Sequence, residues 1–159
     1  MIVVDPITPT TLFIGTSGGE NTIYRSQDDG ATWQRSQFST SAGLSEMLDS
    51  FVYEIVVDPS DSDYVYAAVG TGEIDSLDRG IYRSQDNGLT FTRVLTDSLG
   101  RELGLIVNRR GTVFATANNA YFRSQDHGAH WEQLRQEYEE HAGDFHRRAP
   151  GSRPLWRGV

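Results

Sequence analysis

Hydrophobic and polar residues alternate along this chain in short runs, and the runs come in recurring groups of four. The first run opens "IVVDP" at Ile2–Pro6, and the same pentapeptide returns at Ile55–Pro59. "LIVN" at Leu105–Asn108 takes that place a third time. A β-branched and aromatic run follows each: "TLFIGT" at Thr11–Thr16, "YVYAAV" at Tyr64–Val69 and "TVFATA" at Thr112–Ala117. Next come "IYRSQD" at Ile23–Asp28, the same again at Ile81–Asp86, and "YFRSQD" at Tyr121–Asp126. Each group closes on "TWQRS" from Thr32, "TFTRVL" from Thr90 or "HWEQL" from His130. Gly, Asp, Pro, Ser and Asn punctuate the runs, so they read as strands joined by tight turns. Four sequential antiparallel strands, A to D, make the pattern of a propeller blade.

The expected fold is therefore all-β: a β-propeller with three four-stranded antiparallel blades, a partial propeller. The blades span about 1–37, 51–95 and 103–137, together the segment 1–137. "GLSEMLDS" at Gly43–Ser50 predicts one helical turn. Residues 138–159 form a short C-terminal tail that is helical or disordered, with helix formers at its start and an Arg/Pro/Gly-rich end. Three blades are fewer than the 4–8 that close a ring. The chain is expected either to be part of a larger propeller or to associate with further blades from another chain.

Between strands C and D each group carries Ser-x-Asp-x-Gly followed by an aromatic: "SQDDGATW", "SQDNGLTF" and "SQDHGAHW". This motif resembles the Asp box, or BNR repeat. Together with "VVDP…YVYAAVGTG…GIYRSQDNG", it is similar to blades of sortilin-type receptors, xyloglucan-hydrolysing enzymes and photosystem II assembly propellers, and of sialidases in the broad sense. The resemblance covers roughly residues 1–135 and bears on fold far more than on activity.

Physically, the turn needs a positive φ, which Gly30, Gly88 and Gly128 adopt at little cost. Asp28, Asp86 and Asp126 are placed to accept hydrogen bonds from their own turn, with Ser26, Ser84 and Ser124 adding a hydroxyl. The resemblance implies that Trp33, Phe91 and Trp131 pack under the turns. A catalytic Asp is needed once, with a partner carboxylate at a defined distance, and these recur in every unit. A calcium loop needs more oxygen ligands than these turns hold. No metal and no cofactor is expected. Arg25, Arg83 and Arg123 could suggest the arginine clamp of a sialidase, but equivalent places in successive blades do not converge on one pocket.

The A–B and C–D turns lie at one end of such a meander, and the more variable B–C and D–A connections at the other. Ligand binding is expected at the variable end, near Glu73, Asp75 and Asp78 and the 36–50 connection. The plainer reading of those three carboxylates is a solvated acidic loop. His127, His130, His141 and His146 lack zinc-type spacing and read as surface residues.

Composition adds exclusions. The net charge of −8 argues against a nucleic-acid or anionic-membrane surface. The chain has no Cys, so thiolate sites and disulfides are absent. No run approaches the ~18 apolar residues of a membrane helix, and "MIVVDPITPT" does not read as a secretory signal. The functional expectation is a non-catalytic scaffold that binds a protein or carbohydrate partner. The alternative is a segment of a glycoside hydrolase without a complete active site.

Overall fold

A computed structural model of the chain describes residues 1–16, 23–40, 43–45, 50–71, 79–96, 103–117 and 120–134. Among them every regular element is a β-strand. The first sheet is an antiparallel meander of β1 (Ile2–Val4), β2 (Leu12–Gly15), β3 (Ile23–Ser26) and β4 (Gln34–Arg35). The third sheet repeats it with β11 (Gly104–Val107), β12 (Val113–Ala117), β13 (Ala120–Ser124) and β14 (Glu132–Leu134). The middle sheet holds the same four-strand meander in β7 (Ser50–Val57), β8 (Val65–Thr71), β9 (Gly80–Ser84) and β10 (Thr90–Thr96). This is the expected all-β, propeller-type architecture.

The middle sheet carries two strands more than the repeat predicts. β5 (Gln37–Thr40) pairs in parallel with β10, and β6 (Gly43–Ser45) pairs antiparallel with β5. Of the segment expected to make a helical turn, Gly43–Ser50, residues 43–45 are strand instead and Ser50 opens β7, while 46–49 lie outside the described residues. Helix propensity was outweighed by the open edge of β10, whose backbone groups need partners. The gain is visible at Phe38. Its buried ring stacks on Phe91 at 5.2 Å and meets the edge of Tyr82 at 5.3 Å, so "QFST" packs as a strand.

The sheets lie face to face around two cores. Phe13 and Ile23 of the first sheet meet Val52, Ile55, Val57, Val65, Ala67, Val69, Tyr82 and Phe91 of the middle one. Tyr66, Ala68 and Ile81 of the middle sheet meet Leu105, Val113 and Ala115 of the third. Because successive strand residues point to opposite faces, Val65, Ala67 and Val69 enter one core while Tyr66 and Ala68 enter the other. That explains why "VYAAV" is apolar throughout: both its faces are covered. A bulge between Val52 and Glu54 shifts the register of β7, and Glu54 then accepts the N–H of Leu105 in the third sheet at 2.8 Å.

Candidate functional site

The Ser-Gln-Asp turns joining the third and fourth strands of each unit share one geometry. Two successive residues have positive φ: Asp29 and Gly30 at 57° and 86°, Asn87 and Gly88 at 54° and 80°, His127 and Gly128 at 52° and 78°. This left-handed pair matches the twist of a hairpin. It also restricts the first position to residues that tolerate the region, and Asn, Asp and His are the enriched types. The neighbouring A–B turn lies at the same end, since Asp29 donates its N–H to Thr10 O and Asn87 donates to Asp63 O.

The serine sits at the centre of each turn, buried in all three. Ser26, Ser84 and Ser124 Oγ accept the N–H of Gly30, Gly88 and Gly128 at 2.9, 2.8 and 2.8 Å. The same hydroxyls donate to Oδ1 of Asp28, Asp86 and Asp126 at 2.8, 2.6 and 2.8 Å. Each carboxylate also accepts the N–H of the residue four places after it: Thr32, Thr90 or His130 at 2.8, 2.8 and 2.9 Å. Its Oδ2 takes the hydroxyl of Thr32 or Thr90 at 2.6 Å, or the Nδ1 of His130 at 2.6 Å. Trp33 adds its indole N–H to Gly30 O at 3.0 Å.

Hydrogen bonds to the ionised form set the acidity of these groups. The Thr32 hydroxyl, then the Thr32 N–H and Ser26, hold Asp28 down at about 2. The His130 N–H and ring, with Ser124, hold Asp126 well below the carboxylate range. Burial works upward on Asp86, but Ser84 and Thr90 outweigh it and keep its carboxyl low as well. All three shifts run opposite to that of a general acid, which must keep its proton near neutral pH.

The remaining polar contacts run between units. Arg25 Nη1 donates to the carbonyl of Asn87 at 2.9 Å while Nη2 reaches Gln27 at 2.9 Å. Arg83 repeats this one unit on, to the carbonyl of His127 at 3.0 Å and Gln85 at 3.1 Å. Burial lowers the pKa of Arg25, while the nearby Asp86 carboxylate favours its charge. Buried Asp5 accepts Ser62 Oγ at 2.8 Å and, at 3.5 Å, Asn87 Nδ2. Buried Asp58 accepts the Nδ1–H of His127 at 3.0 Å, and the His127 ring stacks on Tyr64 at 4.3 Å.

Sequence reasoning missed these contacts. His127 is half-buried between two units and not a free surface group, because its left-handed backbone turns the ring toward Asp58. Asp5 and Asp58 were visible only as part of "VVDP"; their placement beside a neighbouring unit required the sheet order. The arginines do not form a clamp: Arg25 and Arg83 reach successive turns, and Arg123 pairs with Glu132 at 2.6 Å. Glu73, Asp75 and Asp78 lie outside the described residues, as do His141, His146 and the tail. Among the described residues no group of three or more His, Asp or Glu side chains could hold a metal ion. Open hollows flank the outer turns, one lined by Arg25, Asp28 and Trp33, the other by Arg123, Asp126 and Trp131. Among the described residues no helix is long and apolar enough to cross a membrane.

No protein-family model matches the chain. A xyloglucanase from Paenibacillus sp is 28% identical over 100 residues, 58% of this chain and 9% of that protein. Among solved structures, an ancestral GH74 enzyme aligns over 84% of this chain with a TM-score of 0.59 and 19% identity, covering 19% of its own length. YCF48 from Cyanidioschyzon merolae aligns over 84% with a TM-score of 0.54 and 15% identity, covering 35% of that chain. The chain thus spans a minor part of each of these proteins, and at such identities the structural likeness establishes the propeller fold.

Proposed function

We propose that this chain is an Asp-box propeller segment that acts as a non-catalytic scaffold. It binds a protein or glycan partner through the B–C and D–A connections, at the end opposite the Ser-Gln-Asp turns. The observation that carries this reading is the repeated, hydrogen-bond-saturated state of Asp28, Asp86 and Asp126. Carboxylates held ionised by their own turns maintain a hairpin and have no proton to give at neutral pH. The acidic connection with Glu73, Asp75 and Asp78 then supplies polar contact chemistry on a rigid frame.

A second reading is a segment of a glycoside hydrolase, favoured by the similarity to a xyloglucanase over 58% of the chain. Hydrolysis assays on xyloglucan and sialyl-lactose separate the two. The scaffold reading expects no turnover above buffer. Turnover of either substrate, abolished by Asp75→Ala or Asp78→Ala, would replace it with the hydrolase reading.

A further inference from the structure

Three contacts between units repeat in one direction along the chain. The arginine before the turn serine in one unit reaches the turn carbonyl of the next. The second-strand aromatic does likewise: a Cβ on Gly88 would lie 2.3 Å from Phe13, and one on Gly128 would lie 3.3 Å from Tyr66. The A–B aspartate of one unit faces the residue before the next turn glycine, Asp5 to Asn87 and Asp58 to His127. The third unit holds the same forward-facing set in Arg123, Phe114 and Asn108. Among the described residues no turn meets it.

The two outer faces show what is uncovered. On the forward face Tyr121 is 50% exposed, whereas its counterparts Ile23 and Ile81 are fully buried. Ile106 there is 62% exposed, while Val3 and Val56 pack against the cores. On the opposite face of the first unit Ile2 is 69% exposed, whereas Ile55 and Leu105 are at 3%. Each face lacks what the other offers.

Asn108 identifies the occupant. Asp58 uses Oδ1 for its own turn, accepting the Ser60 N–H at 2.8 Å, and turns Oδ2 to a donor on the next unit. Asp5 does the same with the Ile7 N–H at 2.8 Å. Asn108 Oδ1 likewise accepts its own turn, from Arg110 and Thr112 at 2.9 and 3.1 Å. Its NH₂, a donor only, therefore stands where the other two units present an acceptor oxygen. The partner must be an acceptor. At the position before the turn glycine the chain carries Asp29, Asn87 and His127, and Asp29 alone is a carboxylate. The donor and acceptor are exchanged at both outer faces together.

We infer that the third unit of one copy docks on the first unit of a second copy, head to tail, in a closed two-fold ring. Asn108 donates to Asp29 of the partner subunit. Arg123 takes the carbonyl of that same residue, as Arg25 and Arg83 take those of Asn87 and His127. Phe114, half-buried in one copy, covers Gly30 of the partner subunit. With two copies both head-to-tail contacts close at once, and neither outer face is left unpaired.

The experiment is light scattering on the full 159-residue chain across a concentration series. The expected mass is twice 17.8 kDa. Asn108→Asp sets carboxylate against carboxylate and is expected to raise the dissociation constant at least about tenfold, since like charges across an interface are costly. The new carboxylate can still accept both A–B turn amides, as Asp5 does, so circular dichroism stays unchanged. Adding Asp29→Asn recreates the Asp5–Asn87 pairing and restores the dimer. Ile106→Arg, which leaves both turns intact, splits it independently. A monomer at every concentration, masses that grow without limit, a dimer indifferent to Asn108→Asp, or a double variant as weak as the single one would each overturn the inference.

Discussion

Replacing the turn glycine by alanine asks the same backbone question three times in different surroundings. The φ values at Gly30, Gly88 and Gly128 are 86°, 80° and 78°, so the left-handed penalty is nearly common, about 1–2 kcal/mol each. What differs is the space for a methyl group. At Gly30 the new Cβ meets Leu12 Cδ1 and Trp33 at 3.5 Å, an ordinary contact. At Gly128 it lies 3.3 Å from the Tyr66 ring, which must give slightly. At Gly88 it lies 2.3 Å from Cε1 of Phe13, a fully buried ring of the preceding unit. Overpacking there adds about 1–3 kcal/mol. The order of loss is therefore Gly30→Ala, then Gly128→Ala, then Gly88→Ala, the last at about 2–5 kcal/mol in all. Urea unfolding at one dilute protein concentration measures it, with the midpoint moving and the slope constant. Equal losses within ~0.5 kcal/mol, or Gly30→Ala as the worst of the three, would refute the docking of turn on ring. At concentrations that form the ring, the loss at Gly30 grows as Phe114 of the partner subunit closes on it.

Two further outcomes follow from the turn geometry. Ser84→Ala strips the buried Gly88 N–H of its acceptor and Asp86 of a donor, for an expected loss of about 1–3 kcal/mol by thermal unfolding, while the exposed Gln85→Ala changes little. Acid should weaken the fold in a defined window. Asp28, Asp86 and Asp126 all have folded-state pKa values below the unfolded value near ~3.9. Their contribution is complete above that value and is lost as pH falls through the folded values, Asp28 at about 2. Unfolding free energies measured between pH 6 and pH 2 should be flat above about pH 5 and fall from about pH 4 downward, and a fold equally stable at pH 2 and pH 6 would contradict the carboxylate cradle.

The strands were legible because the repeat states them three times, and because period-two alternation survives in "TLFIGT" and "TVFATA". The continuous "VYAAV" was legible as strand but not as the doubly covered centre of the stack, which depends on having neighbours on both faces. β5 and β6 were not legible. Phe38 is a single apolar residue among polar ones, and its strand exists only because β10 offers an open edge. The positive φ of the glycines followed from turn chemistry. That of Asp29, Asn87 and His127 did not, since nothing local distinguishes a left-handed Asp from an ordinary one. The contacts between units were hidden for another reason: Arg25 and Asn87 are far apart in sequence and meet through sheet order alone. Glu73, Asp75 and Asp78 remain a reading of composition and position, outside the described residues.

The cradle and the docking contacts belong to one device. A left-handed pair of residues turns the carbonyl and side chain of the position before glycine away from its own hairpin. Serine and aspartate consume the N–H groups that would otherwise need water, so the turn can be covered by a neighbour without leaving donors unsatisfied. Arg25 and Arg83 then read the outward carbonyl, which is independent of side-chain type, and Asp5 and Asp58 read the side chain, which is not. The carbonyl contact is the same whatever residue precedes the glycine; the side-chain contact changes with it. That division explains why Ser, Asp and Gly recur unchanged in the turns while the residue before glycine is Asp, Asn or His. At position 108 Asn stands where the first two units carry Asp, and on the proposed ring it sets the third unit's outer face to take the first turn of a second copy.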